Sequence, residues 1–120
     1  MLFKFPKDDK NFSWTQHVKN KMLYYRLSEQ KIKTVLKNPA RKEEGIAPKT
    51  TAVMKRNDTP KRKEELWVMY QKLTKNDKQP TTNNKIRVIS AWRYPGVSPK
   101  GKQIPIPEDI LNELEDVINE

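Results

Sequence analysis

His17 is the single histidine of this 120-residue chain, and the one side chain whose ordinary pKa lies near neutrality, so it is the first candidate for general acid–base chemistry. The plainer reading is a boundary histidine bonded to a backbone carbonyl. Arg87 and Arg93 lie in one run of β-branched and aromatic residues. On a strand, alternation puts both on one face with Ile89 and Ala91 between them. A guanidinium can grip phosphate through two parallel hydrogen bonds; the alternative is a solvated strand face with ion pairs to Glu64 or Glu65. Glu43-Glu44 is an acidic pair in a basic stretch. It is either a general base or, more simply, the cap of an arginine. Tyr24, Tyr25, Trp67, Tyr70, Trp92 and Tyr94 could include a base-stacking platform. The aliphatic supply is thin, so most of them must be core, leaving one or two for a ligand.

The elements that must position these residues are visible as changes of period. Ser13-Trp14-Thr15-Gln16 reads as a capping box. Trp14, Val18, Met22 and Tyr25 then recur at helical steps, with His17 at the edge of that face. A second helix starts at Ser28-Glu29, uses Ile32, Val35 and Leu36 as its apolar face, and stops at Pro39; the joint falls at Arg26-Leu27. After Pro39, residues 44–47 and 50–56 read as two strands joined through Pro48-Lys49. Residues 57–60 are turn chemistry, Leu66 to Tyr70 is a strong strand, 74–84 is a polar loop, and Ile86 to Tyr94 is a second strong strand. Pro95-Gly96 ends it, and 97–106 is an extended connection. Pro107, Glu108 and Asp109 open a last helix whose stripe is Ile110, Leu111, Leu114, Val117 and Ile118. The expected order is α-α-β-β-β-β-α: an α+β domain with two N-terminal helices, an antiparallel sheet of about four strands and a C-terminal helix.

Charge divides the chain. All 25 Lys and Arg lie at or before Lys102, and six of 15 acids follow it, so residues 1–106 carry 25 − 9 = +16 and residues 107–120 carry −6. The expected organisation is a basic body over 1–106 and an acidic helix over 107–120, packed on it or following it. Lysine-rich stretches at 4–10, 31–37 and 61–63 suit a phosphate-attracting surface without sequence specificity. With no cysteine and one histidine, a thiolate or multi-histidine metal site is excluded. Three glycines rule out a Gly-rich phosphate loop. No metal and no cofactor is expected. The longest apolar runs are too short to span a membrane, the first residues lack the apolar stretch of a signal peptide, and the default expectation is a cytoplasmic protein.

Several phrases resemble a known group. Trp14-Thr15-Gln16-His17 with Met22 and Tyr25-Arg26-Leu27-Ser28, then Val35 to Pro39, resemble a family of small bacterial domains related to the RelE-like and BrnT-like toxin ribonucleases. Glu65 to Tyr70 and Lys85 to Arg93 resemble that family's central strands, and the likeness covers about residues 12–96. It implies a RelE-like fold, with helices on one face of a curved antiparallel sheet and RNA on the other. It further implies an endoribonuclease, by attack of the RNA's 2′-hydroxyl on the adjacent phosphate, with an antitoxin protein as second partner; the lack of a metal-ligand cluster in the sequence makes the expected catalysis metal-independent. His17 and Arg93 match family-like positions, and Glu44 and Arg26 transfer less closely. The expected catalytic set is then His17, Arg93 and Glu44, and the expected RNA-binding set is Arg26, Arg87, Arg93 and Tyr94. The proline-rich connector and acidic helix depart from that pattern. A non-catalytic nucleic-acid-binding module and a protein-interaction domain stay open beside it.

Overall fold

The computed structural model describes residues 4–73, 85–101 and 103–118, so the polar loop expected at 74–84 lies outside the described residues. The element order is β1 (Phe12–Trp14), α1 (Gln16–Tyr25), α2 (Glu29–Lys37), β2 (Arg41–Glu44), β3 (Thr50–Arg56), β4 (Glu64–Leu73), β5 (Lys85–Pro95) and α3 (Glu108–Ile118). The class is α+β, but the sheet has five strands rather than four and is mixed. Its order is β1-β5-β4-β3-β2. β2 to β5 form the expected antiparallel meander, and β1 adds to β5 in parallel, pairing Phe12 with Ile86 and Trp14 with Val88. Among the described residues no helix is long and apolar enough to cross a membrane.

β1 exists because two aspartates turn the chain into it. Asp9 accepts the N–H groups of Asn11 and Phe12, both at 2.8 Å, and Asp8 accepts that of Trp14 at 2.9 Å. Ser13 is therefore inside a strand, and the helix cap moves two residues on from the capping box read at Ser13. Thr15 takes an extended backbone and its hydroxyl accepts the Val18 N–H. The same hydroxyl donates to the Ile89 carbonyl at 2.9 Å, which ties the start of α1 to β5. α1 ends in left-handed Arg26 (φ 57°), and α2 begins at Ser28, whose hydroxyl accepts the Lys31 N–H. Both features match the tight joint expected there.

The first strand after Pro39 sits earlier than the expected 44–47. The Ala40 N–H already reaches the Met54 carbonyl at 2.7 Å, so pairing begins as soon as the proline has stopped α2. Residues 45–49 are instead the hairpin turn. Gly45 donates to the Thr50 carbonyl at 2.9 Å, and a Cβ there would lie 2.0 Å from Thr50 Oγ1. Only glycine permits that approach.

The sheet is covered on both faces. On one, Val18 and Met22 of α1, Leu27, and Ile32 and Val35 of α2 pack over Val53, Val68, Val88 and Ala91. On the other, Ile104, Ile110 and Val117 pack over Met54, Trp67, Met69, Ile89 and Trp92. Trp67 and Trp92 stack across β4 and β5 with centroids 6.2 Å apart, and Trp92 donates to the Pro105 carbonyl at 2.8 Å. The acidic helix is thus part of the core.

A β-bulge corrects one expectation. The β4–β5 register shifts between Met69 and Tyr70, so Met69 opposes Ser90 while Tyr70 opposes Val88, and Ile89 is the extra residue. Such an insertion reverses side-chain parity beyond it. Ile86, Val88 and Ala91 pack on the α1–α2 side, whereas Ile89, Trp92 and Tyr94 pack on the α3 side. By alternation Arg87 and Arg93 therefore fall on opposite faces, not on one.

Candidate nucleic-acid interface

Among the described residues no strand pairs with the outer side of β5 beyond Val88, and α1 packs against β5 there. His17, in the first turn of α1, is 6% exposed, and its Nε2 lies 2.9 Å from Ser90 Oγ. A serine beside a histidine is a nucleophile–base geometry in principle. Ser90, however, has no exposed surface, so an RNA phosphate cannot reach it in this conformation. At the far end of the same helix, Arg93 donates from Nε to the Tyr25 carbonyl at 2.6 Å and from Nη2 to the Arg26 carbonyl at 3.1 Å. Its Nη1 pairs with Glu64 at 2.7 Å. These carbonyls are among those a helix C-terminus leaves without intrahelical partners, and Arg93 satisfies two of them. The cross-strand pair to Glu64 is the plainer alternative weighed for this arginine.

The three residues expected to share a catalytic centre are held apart. His17 and the Arg93 guanidinium sit at opposite ends of α1, on the order of 12 Å apart at 1.5 Å per residue. Glu44 is exposed on β2, at the other edge of the sheet, three strand spacings or roughly 14 Å from β5. It borders a groove lined by Gly45, Ile46, Gly101, Gln103 and Ile104. Of the RNA-binding set, Arg26 is exposed, Arg87 is half-buried in β5 and already has interactions within the fold, and Tyr94 packs against the α3-side core. Among the described residues no group of three or more His, Cys, Asp or Glu is placed to hold a metal ion.

The sequence reading missed a polar knot beneath the connector. Glu65 is fully buried and accepts from the Trp67 indole at 2.9 Å, from the Ser98 backbone N–H at 2.9 Å and from the Ser98 hydroxyl at 2.7 Å, with Arg56 at 3.1 Å. Burial pushes its carboxyl up most strongly, but the bonds from Ser98 and Trp67 and the charge of Arg41 outweigh it, leaving the pKa below the ordinary value. Arg41 bonds the Ser98 hydroxyl at 2.8 Å, lies over the Trp67 ring at 5.1 Å and is held by Glu43 at 2.8 Å. Glu43 thus caps an arginine, as its plainer reading has it. No local pattern marks Ser98, whose role comes from where the connector crosses β4.

What stays exposed is mainly lysine, joined by Arg26 and Arg62. Arg41, Arg56, Arg62 and Arg93 all make ion pairs, whereas of 19 lysines only Lys21 and Lys33 do so among the described residues. Lys31 and Lys37 of α2, Lys42 of β2, and Lys4, Lys7 and Lys10 before β1 are all exposed. Lys55 of β3 bonds the Asn38 carbonyl at the end of α2. Of the six aromatics weighed for stacking, Trp67 and Trp92 are buried, Tyr25, Tyr70 and Tyr94 are partly buried in the cores, and Tyr24 is 72% exposed. No protein-family model, curated protein or solved structure matches the chain.

Proposed function

We propose that this chain is a non-catalytic RNA-binding module that holds the sugar-phosphate backbone with exposed lysines. The observation that carries the reading is the division of labour between the two basic residue types. Most of the arginines, which could grip phosphate with fixed bidentate geometry, are engaged inside the fold, while the mobile point charges of lysine face outward. That arrangement suits attraction to phosphate, with affinity set by salt and little dependence on sequence.

The RelE/BrnT-like likeness rests on short phrases, and its endoribonuclease chemistry fits this geometry less well. His17 and Arg93 bond groups of the fold, and Glu44 is at the opposite sheet edge. The sheet face on which such a protein would lay RNA is filled by α3 and residues 104–106. Binding therefore outranks cleavage.

The test is a salt series. Purified protein is titrated into labelled single-stranded RNA by fluorescence anisotropy, and the same RNA is run on denaturing gels after long incubation. Binding whose log K falls linearly with log[salt], by about 0.7 per phosphate contacted, with intact RNA, is the expected result. Cleavage abolished by His17→Ala would replace this reading with the ribonuclease one, and salt-insensitive or absent binding would end both.

A further inference from the structure

Tyr24 is an exposed aromatic ring that a backbone-only interface would not use. It lies in the last turn of α1, beside half-exposed Leu23, and exposed Arg26 follows in the left-handed joint to α2. At 72% Tyr24 is the most exposed large hydrophobic side chain among the described residues, and its ring has Tyr25 and Lys21 as neighbours. The neighbouring Tyr25 ring meets it edge-on at 4.8 Å and 85°. Lys21 Nζ lies over the ring, 5.7 Å from its centroid, so a base would stack on the opposite face. Lys21 is itself paired with Asp109 at 2.6 Å and Glu113 at 2.8 Å, which keeps the cation over that face of the ring. Asp109 and Glu113 are both held by that lysine, which reduces their repulsion of a phosphate chain.

We infer that Tyr24 is a base-stacking platform, and that the RNA bound here is single-stranded with at least one unpaired base; this rests on the RNA-binding reading above. An exposed aromatic ring at a helix end offers little to a duplex, whose bases are stacked on one another and whose phosphates face outward. An unpaired base has two open π faces and stacks on tyrosine whatever its sequence. Arg26, two residues on, supplies a cation for the adjoining phosphate. The lysines of α2 then give the affinity that varies with salt, and Tyr24 gives the preference for single strands.

The experiment compares one RNA sequence as a single strand and as a duplex, against the wild type, Tyr24→Ala and Tyr24→Phe, at fixed salt and across a salt series. The expected result is tighter binding of the single strand, a loss of about 5- to 150-fold with Tyr24→Ala on the single strand alone, near-full retention with Tyr24→Phe, and an unchanged salt slope. Salt-sensitive binding that Tyr24→Ala leaves intact, or weakens equally for both RNAs, overturns the stacking site while leaving the RNA-binding reading standing. Absence of salt-sensitive binding to either RNA overturns both. Circular dichroism of Tyr24→Ala shows whether the fold is kept, and Tyr24→Phe supplies a readout that does not depend on a truncated side chain.

Discussion

Removing the Arg93 guanidinium would leave the part-buried Tyr25 carbonyl and the buried Glu64 carboxylate short of a donor at once, while water can replace it at the exposed Arg26 carbonyl. Each loss costs on the order of 1–3 kcal/mol where water cannot replace it, and more where a charge is stranded. Asn57 still donates to Glu64 at 2.7 Å, which moderates the total. Arg93→Ala is therefore expected to destabilise the fold by roughly 3 kcal/mol, lowering the melting temperature by about 10 °C or somewhat more. Arg93→Lys should recover less than half of this, because one ammonium cannot reach three acceptors spread as a fork. A melting curve of each variant, with anisotropy titration of the fraction that stays folded, separates this role from a phosphate-gripping one. An unchanged melting temperature with lost RNA binding would show that Arg93 belongs to the interface after all. The same logic explains why this residue was only half legible in the sequence. Its partner Glu64 could be named from strand pairing, but its bonds to Tyr25 and Arg26 depend on α1 lying along β5, which no local pattern encodes.

At the scale of elements, periodicity placed α2 and β3 well because each obeys its own repeat, with Ser28 and Pro39 as punctuation. It failed where a long-range partner decides. Phe12-Ser13-Trp14 is too short to announce a strand and becomes one by pairing with Ile86 to Val88 far along the chain. The bulge at Ile89 is equally silent, yet it decides which arginines share a face. α3 was legible as an amphipathic helix, but its docking was not. It rests on Ile110 and Val117 in the core and on a polar seam to α1, where Lys21 meets Asp109 and Glu113 and the Tyr25 hydroxyl faces Asp109. Burial, then the charge of Asp109, pushes Tyr25 up to about 12 from its ordinary 10.0. Burial draws Lys21 down, but the bonds and charges of Asp109 and Glu113 outweigh it and raise its pKa above the ordinary value. Both folded values are raised, so both contributions are complete below the unfolded pKa values and are lost as pH climbs through the folded ones. The seam should therefore weaken above pH 10, with the Tyr25 share fading toward pH 12. Urea midpoints measured from pH 8 upward should fall across that window, and Tyr25→Phe should make the fall shallower. A wild-type midpoint that is flat from pH 10 to 12 would rule out this linkage.

For the whole molecule, a chain with formal charge +10 folds by confining its opposite charges to a few places. The acids of β2 and β4, with Asp58 between, hold the arginines, and α3 holds Lys21. The remaining lysines repel one another in the free protein, which slightly destabilises the compact state. A bound polyanion would relieve that repulsion, so binding and stability should respond to these lysines in opposite directions. Replacing Lys31, Lys37 and Lys42 together by Gln removes three exposed charges that make no ion pair among the described residues. Surface changes of this kind usually move stability by no more than about 0.5 kcal/mol each, so at low salt the triple variant should melt at or slightly above the wild-type temperature. Its RNA affinity should fall, and the slope of log K against log[salt] should lose about 0.7 for each phosphate contact removed, or roughly 2 in all. The two curves should converge at high salt, where counterion release no longer drives binding. A triple variant that binds RNA with the wild-type slope would place the phosphate contacts on some other face, and the stretches at 4–10 and 61–63 would be the next to exchange.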